Sequence, residues 1–319
     1  MPPEAPLLDL RDLRVEYLTP HGRVRAVDGV SFTVHPGEVV GLAGESGSGK
    51  STIAHAILRI LRPPALITGG QVLFSGRDTL KMSDAELEEF RWSSISIVFQ
   101  SAMNALNPVL RVRDQLVDVM EHHGVPKEQA NRRAEKLFDL IGIERSRLSS
   151  YPHELSGGMR QRAVIAIALA LTPELVILDE PTTALDVVVQ KDILLQMARL
   201  REALGLSILF ITHDLSLLVE FSSRILIMYA GEIVEDAPAR ILFNDPQHPY
   251  TVGLMNSFPS IRGDKLKLTG IPGSPPDLAS PPTGCRFHPR CPRVMPVCSQ
   301  IAPKMKNLTA DHAVACHLY

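Results

Sequence analysis

Cysteine is missing from the first 284 of the 319 residues, and long apolar stretches are missing throughout. The strongest apolar run, residues 163–171, is stopped by Thr172-Pro173-Glu174, far short of the length of a membrane span. The first residues, Met1 to Pro6, have neither the basic start nor the apolar core of a signal peptide. These absences predict a cytosolic chain that works at a membrane only where other subunits hold it there.

The chain also has little net charge, because 33 basic and 35 acidic residues leave a formal charge of −2. This balance gives no electrostatic reason to expect a nucleic acid or a strongly acidic membrane surface as a partner. Hydrophobic residues make up 45% of the sequence, which is ordinary for a globular core. The length suits two domains, or one large domain with an appendage.

A complete phosphate-binding loop is present at residues 44–52, with the sequence GESGSGKST. An apolar run at 39–43 precedes it and a helix-like segment at 53–61 follows it, which is the strand, loop and helix context that the motif requires. The glycines let successive backbone N–H groups point at an anion, and the helix adds its positive dipole end. Lys50 is expected to bridge the β- and γ-phosphates and Ser51 to hold Mg²⁺. The predicted nucleotide-binding residues of this loop are Gly44, Ser46, Gly47, Gly49, Lys50, Ser51 and Thr52.

The pattern of apolar residues predicts an α/β fold. Residues 7–18 and 24–34 alternate apolar and polar side chains and predict two strands joined by a turn. Residues 112–148 are charged, show helical spacing and predict a small helical subdomain inserted in the core. Alternating strands and helices elsewhere imply a largely parallel sheet. The predicted strands are 39–43, 71–74, 95–99, 175–178, 207–211 and 224–229, and helices are expected after Ser83, over 189–204 and from about Asp214.

Two carboxylates, Asp179 and Glu180, follow the continuous apolar run at 175–178, which is typical of a central parallel strand. They are expected at the carboxyl edge of the sheet, where an α/β fold binds its ligand. Asp179 is predicted to orient Mg²⁺ directly or through water, and Glu180 to polarise the attacking water. A positioned base contributes roughly 10²–10⁴-fold in rate. An acidic turn at a strand end is the alternative for an isolated pair, but the phosphate loop favours the catalytic interpretation.

The string at 155–162, LSGGMRQR, resembles the signature of the nucleotide-binding subunits of ATP-binding-cassette (ABC) transporters, with Met159 where glutamine is frequent. With the motifs above, the resemblance covers residues 7–255. Ser156, Gly157 and Gly158 form a second anion-binding helix N-terminus. In the family it serves the ATP of an opposing subunit, so that two subunits close head to tail around two nucleotides.

The resemblance implies a P-loop NTPase of the ABC type. Its nucleotide-binding domain is expected at residues 1–250, with an N-terminal antiparallel β subdomain and a helical subdomain at about 100–170. A boundary is expected near 245–258, because the sequence then becomes rich in proline. Residues 251–319 would form a loop-rich C-terminal extension that carries the four cysteines.

Other residues match family positions one by one. Tyr17 resembles the aromatic residue that stacks on adenine, and His213 the switch histidine that contacts the γ-phosphate. Gln100 resembles the glutamine that touches Mg²⁺ and the attacking water, and residues 103–108 after it would face a permease. Ala184-Leu185-Asp186 resembles the loop that crosses the dimer interface. The implied catalytic residues are Glu180, His213 and Gln100, and the implied Mg²⁺ ligands are Ser51, Gln100 and Asp179.

The tail resembles the oligopeptide/dipeptide importer branch, through His248-Pro249-Tyr250-Thr251, GCRFHPRCP at 284–292 and VACHL at 314–318. In that branch the tail cysteines are associated with an iron–sulfur cluster. The spacing C-x₅-C-x₆-C-x₁₇-C lacks the C-x₂-C pair of most zinc ribbons, whereas four thiolates are usual for [4Fe–4S]. The implied ligands are Cys285, Cys291, Cys298 and Cys316. The alternatives are an inert thiol set and a zinc site, to which His288, His312 or His317 would contribute.

The resemblance implies an ATPase that uses ATP and Mg²⁺ to power import of oligopeptides or dipeptides, with oligosaccharides or nickel chelates as alternative cargoes. The implied partners are two integral-membrane permeases, a second and related ABC ATPase subunit, and an extracytoplasmic solute-binding protein; no nucleic acid is expected. The chain would lie peripherally on the cytoplasmic face of the cell (inner) membrane.

Two competing functions are a soluble ABC protein of translation or DNA repair and a metabolic kinase or GTPase-like switch. The sequence has one cassette and no sustained heptads, which disfavours the first. The second leaves the signature helix and the cysteine tail without a role.

Overall fold

The computed structural model describes residues 5–20, 22–100, 105–182, 186–257 and 270–319. Met103, Asn104, Ala184 and Leu185, which carry two of the family positions, lie outside these ranges. The strands are β1 (Leu8–Thr19), β2 (Gly22–Val34), β3 (Val39–Ala43), β4 (Ala65–Phe74), β5 (Arg77–Asp78), β6 (Ile95–Val98), β7 (Leu175–Asp179), β8 (Ser207–Ile211), β9 (Arg224–Tyr229), β10 (Glu232–Pro238), β11 (Lys306–Asn307) and β12 (Ala313–Val314). The α-helices are α1 (Lys50–Ile57), α2 (Asp84–Ser93), α3 (Val112–His122), α4 (Lys127–Leu140), α5 (Gly157–Ala168), α6 (Val187–Leu204), α7 (Leu215–Phe221), α8 (Ala239–Asn244) and α9 (Pro249–Asn256).

The chain forms two compact units. The first comprises the described residues of Met1–Val34, Val39–Leu80 and Ile211–Tyr319, and the second comprises those of His35–Glu38 and Lys81–Phe210. The C-terminal tail therefore belongs to the same unit as the phosphate loop.

The first unit contains the predicted antiparallel subdomain, with strand order β2-β1-β4-β5. In β1, Leu8, Leu10, Leu13 and Val15 are buried in the core, and a register shift between Leu10 and Leu13 keeps both pairs on the same face of the strand. Leu8 pairs with Val34 of β2 on one side and with Phe74 of β4 on the other. The alternation in the sequence therefore predicted this sheet correctly.

A second run of strands in the first unit has the order β11-β12-β10-β9-β3. All five residues of β3 are buried, and β3 pairs with β9 in parallel, Val40 opposite Arg224. At Gly41 a β-carbon would lie 2.7 Å from Leu218 Cδ2, so helix α7 packs tightly on this strand. This burial fixes the strand from which the phosphate loop emerges.

The second unit carries β8, β7 and β6 as neighbours, together with helices α2 to α6. Helix α2 begins with the predicted capping box: Ser83 Oγ accepts from the Glu86 N–H, and the Glu86 carboxylate accepts from the Ser83 N–H. In α4 the predicted apolar stripe is buried, which confirms the inserted helical subdomain. Its buried residues are Ala130, Ala134, Leu137 and Phe138.

Some element boundaries differ from the predictions. Helix α1 ends at Ile57 rather than near Leu61, and Arg59 has a positive φ of 50°. Strand β4 begins at Ala65, six residues before the predicted start, because Gly69-Gly70 interrupt the apolar pattern although the backbone continues to pair with β1.

The tail folds as short 3-10 helices at His288–Arg290 and Pro296–Ser299 and two short strands. Strand β12 pairs with β10, Val314 opposite Glu235, so the tail extends the sheet of the first unit. Phe287 is buried against Tyr229 and Tyr250, with ring centroids 5.2 and 5.4 Å away. None of the helices in the described part of the chain is long and apolar enough to cross a membrane.

Candidate nucleotide-binding site

The phosphate loop requires glycine at two positions for different partners. Gly44 has φ 153° and Gly49 has φ 108°, and a β-carbon on either would lie 2.1 Å from a carbonyl oxygen, that of Met228 or Ala26 respectively. Gly47 also has a positive φ, 77°, but a β-carbon there would meet open space. The loop is therefore wedged between two backbone segments of the first unit at its ends and open at its middle.

Lys50, the first residue of α1, directs its ammonium back into this loop. Nζ donates to the carbonyl oxygens of Gly44 and Glu45, at 2.8 and 2.9 Å, and lies 3.3 Å from Ser48 Oγ. The side chain is buried. The ammonium is thus held where the loop would receive the phosphates of a nucleotide.

The N-terminus of α1 keeps its positive partial charge. Gly49 provides no side-chain cap, and the first turn of this helix contains no acidic residue. Tyr17 lies beside the same helix, with its hydroxyl 3.3 Å from Thr52 Oγ1. The structure therefore brings Tyr17, Lys50, Ser51 and Thr52 together around one helix start.

In the second unit, Asp179 is the last residue of β7 and is buried, whereas Glu180 is half-buried. Glu180 has φ +50°, a conformation that a residue with a side chain rarely adopts. Strand β6 pairs with β7 in parallel, Val98 opposite Leu178. Gln100, two residues beyond β6, therefore leaves the sheet at the same edge as the two carboxylates.

His213 belongs to the first unit and follows β8, as predicted. Thr212 donates its N–H to the Leu42 carbonyl oxygen, next to the strand end that feeds the phosphate loop. Asp214 caps α7 by accepting from the Ser216 N–H at 2.9 Å. His213 is exposed between these two anchored neighbours.

The signature string forms a second helix start, as expected. Ser156 is the N-cap of α5 and its Oγ accepts from the Met159 N–H at 3.3 Å, while the first turn contains no acidic residue. Asp186 is the N-cap of α6 and accepts from the Val189 N–H at 3.0 Å. A β-carbon at Gly158 would lie 3.0 Å from Val189 Cγ1, so the two helix starts pack together through this glycine.

The four cysteines are free thiols that lie near one another in the tail. The pKa of Cys285 is raised to about 11, chiefly by burial and to a smaller extent by the neighbouring Cys298, Cys316 and Cys291. The Cys285 N–H donates to the Cys298 carbonyl oxygen at 2.8 Å. Four cysteine thiols are the type of ligand that an iron–sulfur cluster requires.

The histidines of the tail have other partners. His312 is buried with Nε2 2.9 Å from Glu235 Oε1, His288 Nδ1 lies 2.9 Å from the Cys285 carbonyl oxygen, and His317 Nε2 lies 2.7 Å from the Ile301 carbonyl oxygen. Among the described residues, no group of three or more His, Cys, Asp or Glu side chains is arranged around a single metal ion. This finding supports neither a mixed zinc site nor a metal site formed by the cysteines alone.

Sequence reasoning missed a contact between the tail and the phosphate loop. Arg290 forms a bidentate ion pair with Glu45, and Tyr250 Oη accepts from the Glu45 N–H at 2.9 Å. Loop residues 45–48 also line a small, shallow cavity of about 20 Å³ together with tail residues Pro275, Pro276 and Leu278. Arg290 lies in the string GCRFHPRCP that resembled the importer branch, but no sequence spacing connects it with residue 45.

A phosphate loop that opens a helix, carboxylates at the end of a parallel strand, and a second Ser-Gly-Gly helix start define a P-loop ATPase of the ABC class. Residues 27–183 match the ABC transporter family, and residues 234–298 match the family described as oligopeptide/dipeptide transporter, C-terminal region. Two solved structures resemble the chain over about three quarters of its length. The dimeric bacterial ABC transporter cassette MJ0796 has a TM-score of 0.65 and 29% identity, and the match covers 73% of this chain and 99% of that chain. The structure of cbiO1 of Clostridium perfringens has a TM-score of 0.66 and 26% identity, and the match covers 76% of this chain and 92% of that chain.

Curated relatives match over nearly the full length. The dipeptide transport ATP-binding protein DppD of Caldanaerobacter subterraneus subsp. tengcongensis is 42% identical, with 98% of this chain and 97% of the relative covered. The oligopeptide transport ATP-binding protein OppD of Salmonella typhimurium is 42% identical, with 97% and 93% covered. The chain therefore belongs to the ATP-binding subunits of ABC transporters, in the oligopeptide/dipeptide branch.

Proposed function

We propose that this chain hydrolyses ATP to power the import of oligopeptides or dipeptides through partner permeases. The proposal rests on the combination, in one chain, of the nucleotide motifs with an importer-type tail. The chain also matches peptide transport ATP-binding proteins over nearly its full length. A soluble ABC protein or a kinase would have no use for that tail.

We propose that the individual residues have the roles of the family positions that they match. The loop N–H groups and Lys50 would bind the phosphates, Tyr17 would stack on adenine, and His213 would contact the γ-phosphate. Hydroxyl, carboxylate and amide oxygens are ligands that suit Mg²⁺, so Ser51, Asp179 and Gln100 would hold it. When bound, this ion neutralises charge that develops on the phosphates. Glu180 would polarise the attacking water.

The second helix start supports a proposed assembly of two ATPase subunits. One chain needs a single helix N-terminus for a γ-phosphate, so Ser156, Gly157 and Gly158 would bind the ATP held by a second ATPase subunit, and Asp186 would lie at that interface. Two permeases, a related second ATPase and a solute-binding protein complete the proposed importer. The chain would act peripherally at the cytoplasmic face of the membrane.

Glu180→Gln tests the catalytic assignment. The variant should bind Mg-ATP, hydrolyse it at least roughly 10²-fold more slowly, and accumulate as an ATP-bound dimer. Glu174→Gln, an exposed residue just before the other end of the same strand, is the matched control and should hydrolyse ATP normally. Unchanged hydrolysis in Glu180→Gln would show that another residue activates the water.

Uptake by the transporter reconstituted with its permeases tests the cargo. ATP-dependent accumulation of a labelled di- or oligopeptide is expected. Uptake of an oligosaccharide or a nickel chelate in place of the peptide would redirect the assignment. If the chain co-purifies with no integral-membrane protein, the soluble alternative gains support.

We also infer that Cys285, Cys291, Cys298 and Cys316 hold a [4Fe–4S] cluster. The free thiols gathered in the tail support this inference. Iron and sulfide analysis with a visible spectrum, on protein purified without oxygen, should give about four of each per chain. Cys291→Ser should lose them. One zinc without iron would make the tail a structural metal site, and no metal would make the thiols inert.

A further inference from the structure

Glu45 is the one acidic residue in the phosphate loop, GESGSGKST, and its carboxylate does not point freely into solvent. Arg290 NH1 and NH2 donate to its two oxygens at 2.7 and 3.0 Å, and the Arg290 side chain is only 6% exposed. A bidentate pair of this kind fixes orientation as well as charge. Arg290, a residue of the tail, therefore fixes the side chain of Glu45, the second residue of the phosphate loop.

Arg290 is itself anchored by several groups of the first unit. Its Nε donates to the Pro272 carbonyl oxygen at 2.8 Å, and NH1 donates to Tyr229 Oη at 3.3 Å. Tyr229 packs against Tyr250, with ring centroids 4.5 Å apart. The bond to Glu45 raises the pKa of Arg290, so the guanidinium stays charged. The arginine is thus a rigid connection rather than a mobile surface cation.

The contact reaches the phosphate-binding lysine through the backbone of Glu45. The Glu45 N–H donates to Tyr250 Oη, and the Glu45 carbonyl oxygen accepts from Lys50 Nζ at 2.9 Å. Fixing the Glu45 side chain therefore also fixes an acceptor that positions the Lys50 ammonium. Without Arg290, a carboxylate would stand uncompensated next to the site of a triphosphate, where like charges repel.

We propose that Arg290 is a positioning residue for ATP binding, through which the cysteine-bearing tail neutralises Glu45 and holds the phosphate loop. This inference rests on the proposed nucleotide site. It assigns the tail a part in nucleotide affinity, because Arg290 immediately precedes Cys291.

Calorimetric titration of the full-length chain with Mg-ATP tests the proposal. Arg290→Ala should weaken binding roughly 10-fold or more, the effect of losing a charge-assisted hydrogen bond. Arg290→Lys should lose less Mg-ATP affinity than Arg290→Ala, because an ammonium keeps the positive charge but cannot form the bidentate pair. The double variant Glu45→Gln/Arg290→Ala should bind more tightly than Arg290→Ala alone, since it removes the uncompensated carboxylate. Arg293→Ala, an exposed arginine of the same tail, should bind as the wild type does.

The outcomes separate the two proposals. A wild-type chain that binds no Mg-ATP would refute the nucleotide site itself. Normal binding by Arg290→Ala, or no recovery in the double variant, would refute the positioning role alone. A thermal melt of each variant without nucleotide shows whether the tail still docks, and Arg290→Lys provides the answer if Arg290→Ala does not fold.

Discussion

Single glycines of the phosphate loop are constrained to different degrees, and the constraint depends on what a β-carbon would meet. Gly49 faces the Ala26 carbonyl oxygen at 2.1 Å, which is far inside van der Waals contact, so an added methyl group must displace backbone. Gly47 faces open space and would bear only the cost of its positive φ. Two glycines of one motif thus serve different physical needs.

Gly49→Ala should abolish measurable Mg-ATP binding, because the loop cannot close over the phosphates once Ala26 and the start of α1 separate. Gly47→Ala should retain binding, with a loss of stability of about 1–2 kcal/mol. Calorimetric titration and thermal melting of both variants test this pair. Equal loss of binding in the two variants would mean that loop flexibility, and not contact with Ala26, sets the requirement.

His248 carries a pH dependence that follows from its burial. It caps α9 by accepting from the Tyr250 N–H at Nδ1, and burial lowers its pKa to about 4 from an ordinary value of 6.5. Between these two pH values the imidazole takes up a proton in the unfolded chain but not in the folded one, so acid favours unfolding. The free energy of unfolding is therefore not reduced by this titration above pH 6.5. As the pH falls from 6.5 toward 4, the free energy of unfolding decreases by about 3 kcal/mol in all.

His248→Asn removes this titration and keeps a helix-capping side chain. We expect the wild type to exceed the variant in unfolding free energy at pH 7 and to lose that advantage as the pH falls to 4. Urea unfolding of both proteins across this range measures the difference. A constant difference at every pH would show that His248 does not titrate on unfolding.

At the residue scale, residues inside a sequence motif were predicted correctly, whereas a contact between residues far apart in the sequence was missed. Lys50, Asp179 and Ser156 occupy the predicted places because each is defined by the element next to it. Arg290 could not be predicted, since 245 residues separate it from Glu45 and no periodicity spans such a distance.

At the element scale, the N-terminus of helix α5 has two roles, helix capping and anion binding, that one substitution can distinguish. Its Ser156 cap satisfies an N–H at the helix start, and the same end carries the positive partial charge of the helix. Capping accepts a serine or an aspartate equally, whereas a phosphate from another subunit would be repelled by the aspartate.

Ser156→Asp should therefore keep the stability of the chain while it prevents the ATP-bound dimer. Ser156→Ala should cost about 1 kcal/mol by losing the cap. Both changes are made in the Glu180→Gln background, and gel filtration with Mg-ATP measures the dimer. A dimer that persists in the aspartate variant would mean that this helix start does not face a phosphate.

Elements with a strong, continuous pattern were predicted more reliably than those with a mixed one. Strands β3 and β7 are fully buried apolar runs, and both were found where the sequence placed them. Helices α8 and α9 and strand β10 were missed. They are short and contain proline or mixed polarity, and α9 and β10 pack against the tail, whose path the sequence does not reveal.

At the scale of the whole molecule, the tail and the phosphate loop belong to one compact unit although they lie at opposite ends of the sequence. The segment from Cys285 to Cys291 carries two of the proposed cluster ligands and also Arg290. Whatever fixes the cysteines therefore also fixes the arginine that holds Glu45. Nucleotide affinity and occupancy of the cysteine site should be linked.

Cys291→Ser should lower Mg-ATP affinity in protein purified without oxygen, because it releases the residue next to Arg290 when the cluster is lost. In the Arg290→Ala background the same change should cause little further loss, since two changes on one connection are not additive. Titration of the wild type, both single variants and the double variant, with iron content measured on each, completes the cycle. Losses that simply add would mean that the cysteine site affects the nucleotide by another route. If the wild type contains no iron, the cluster is refuted while the Arg290 contact keeps its separate test.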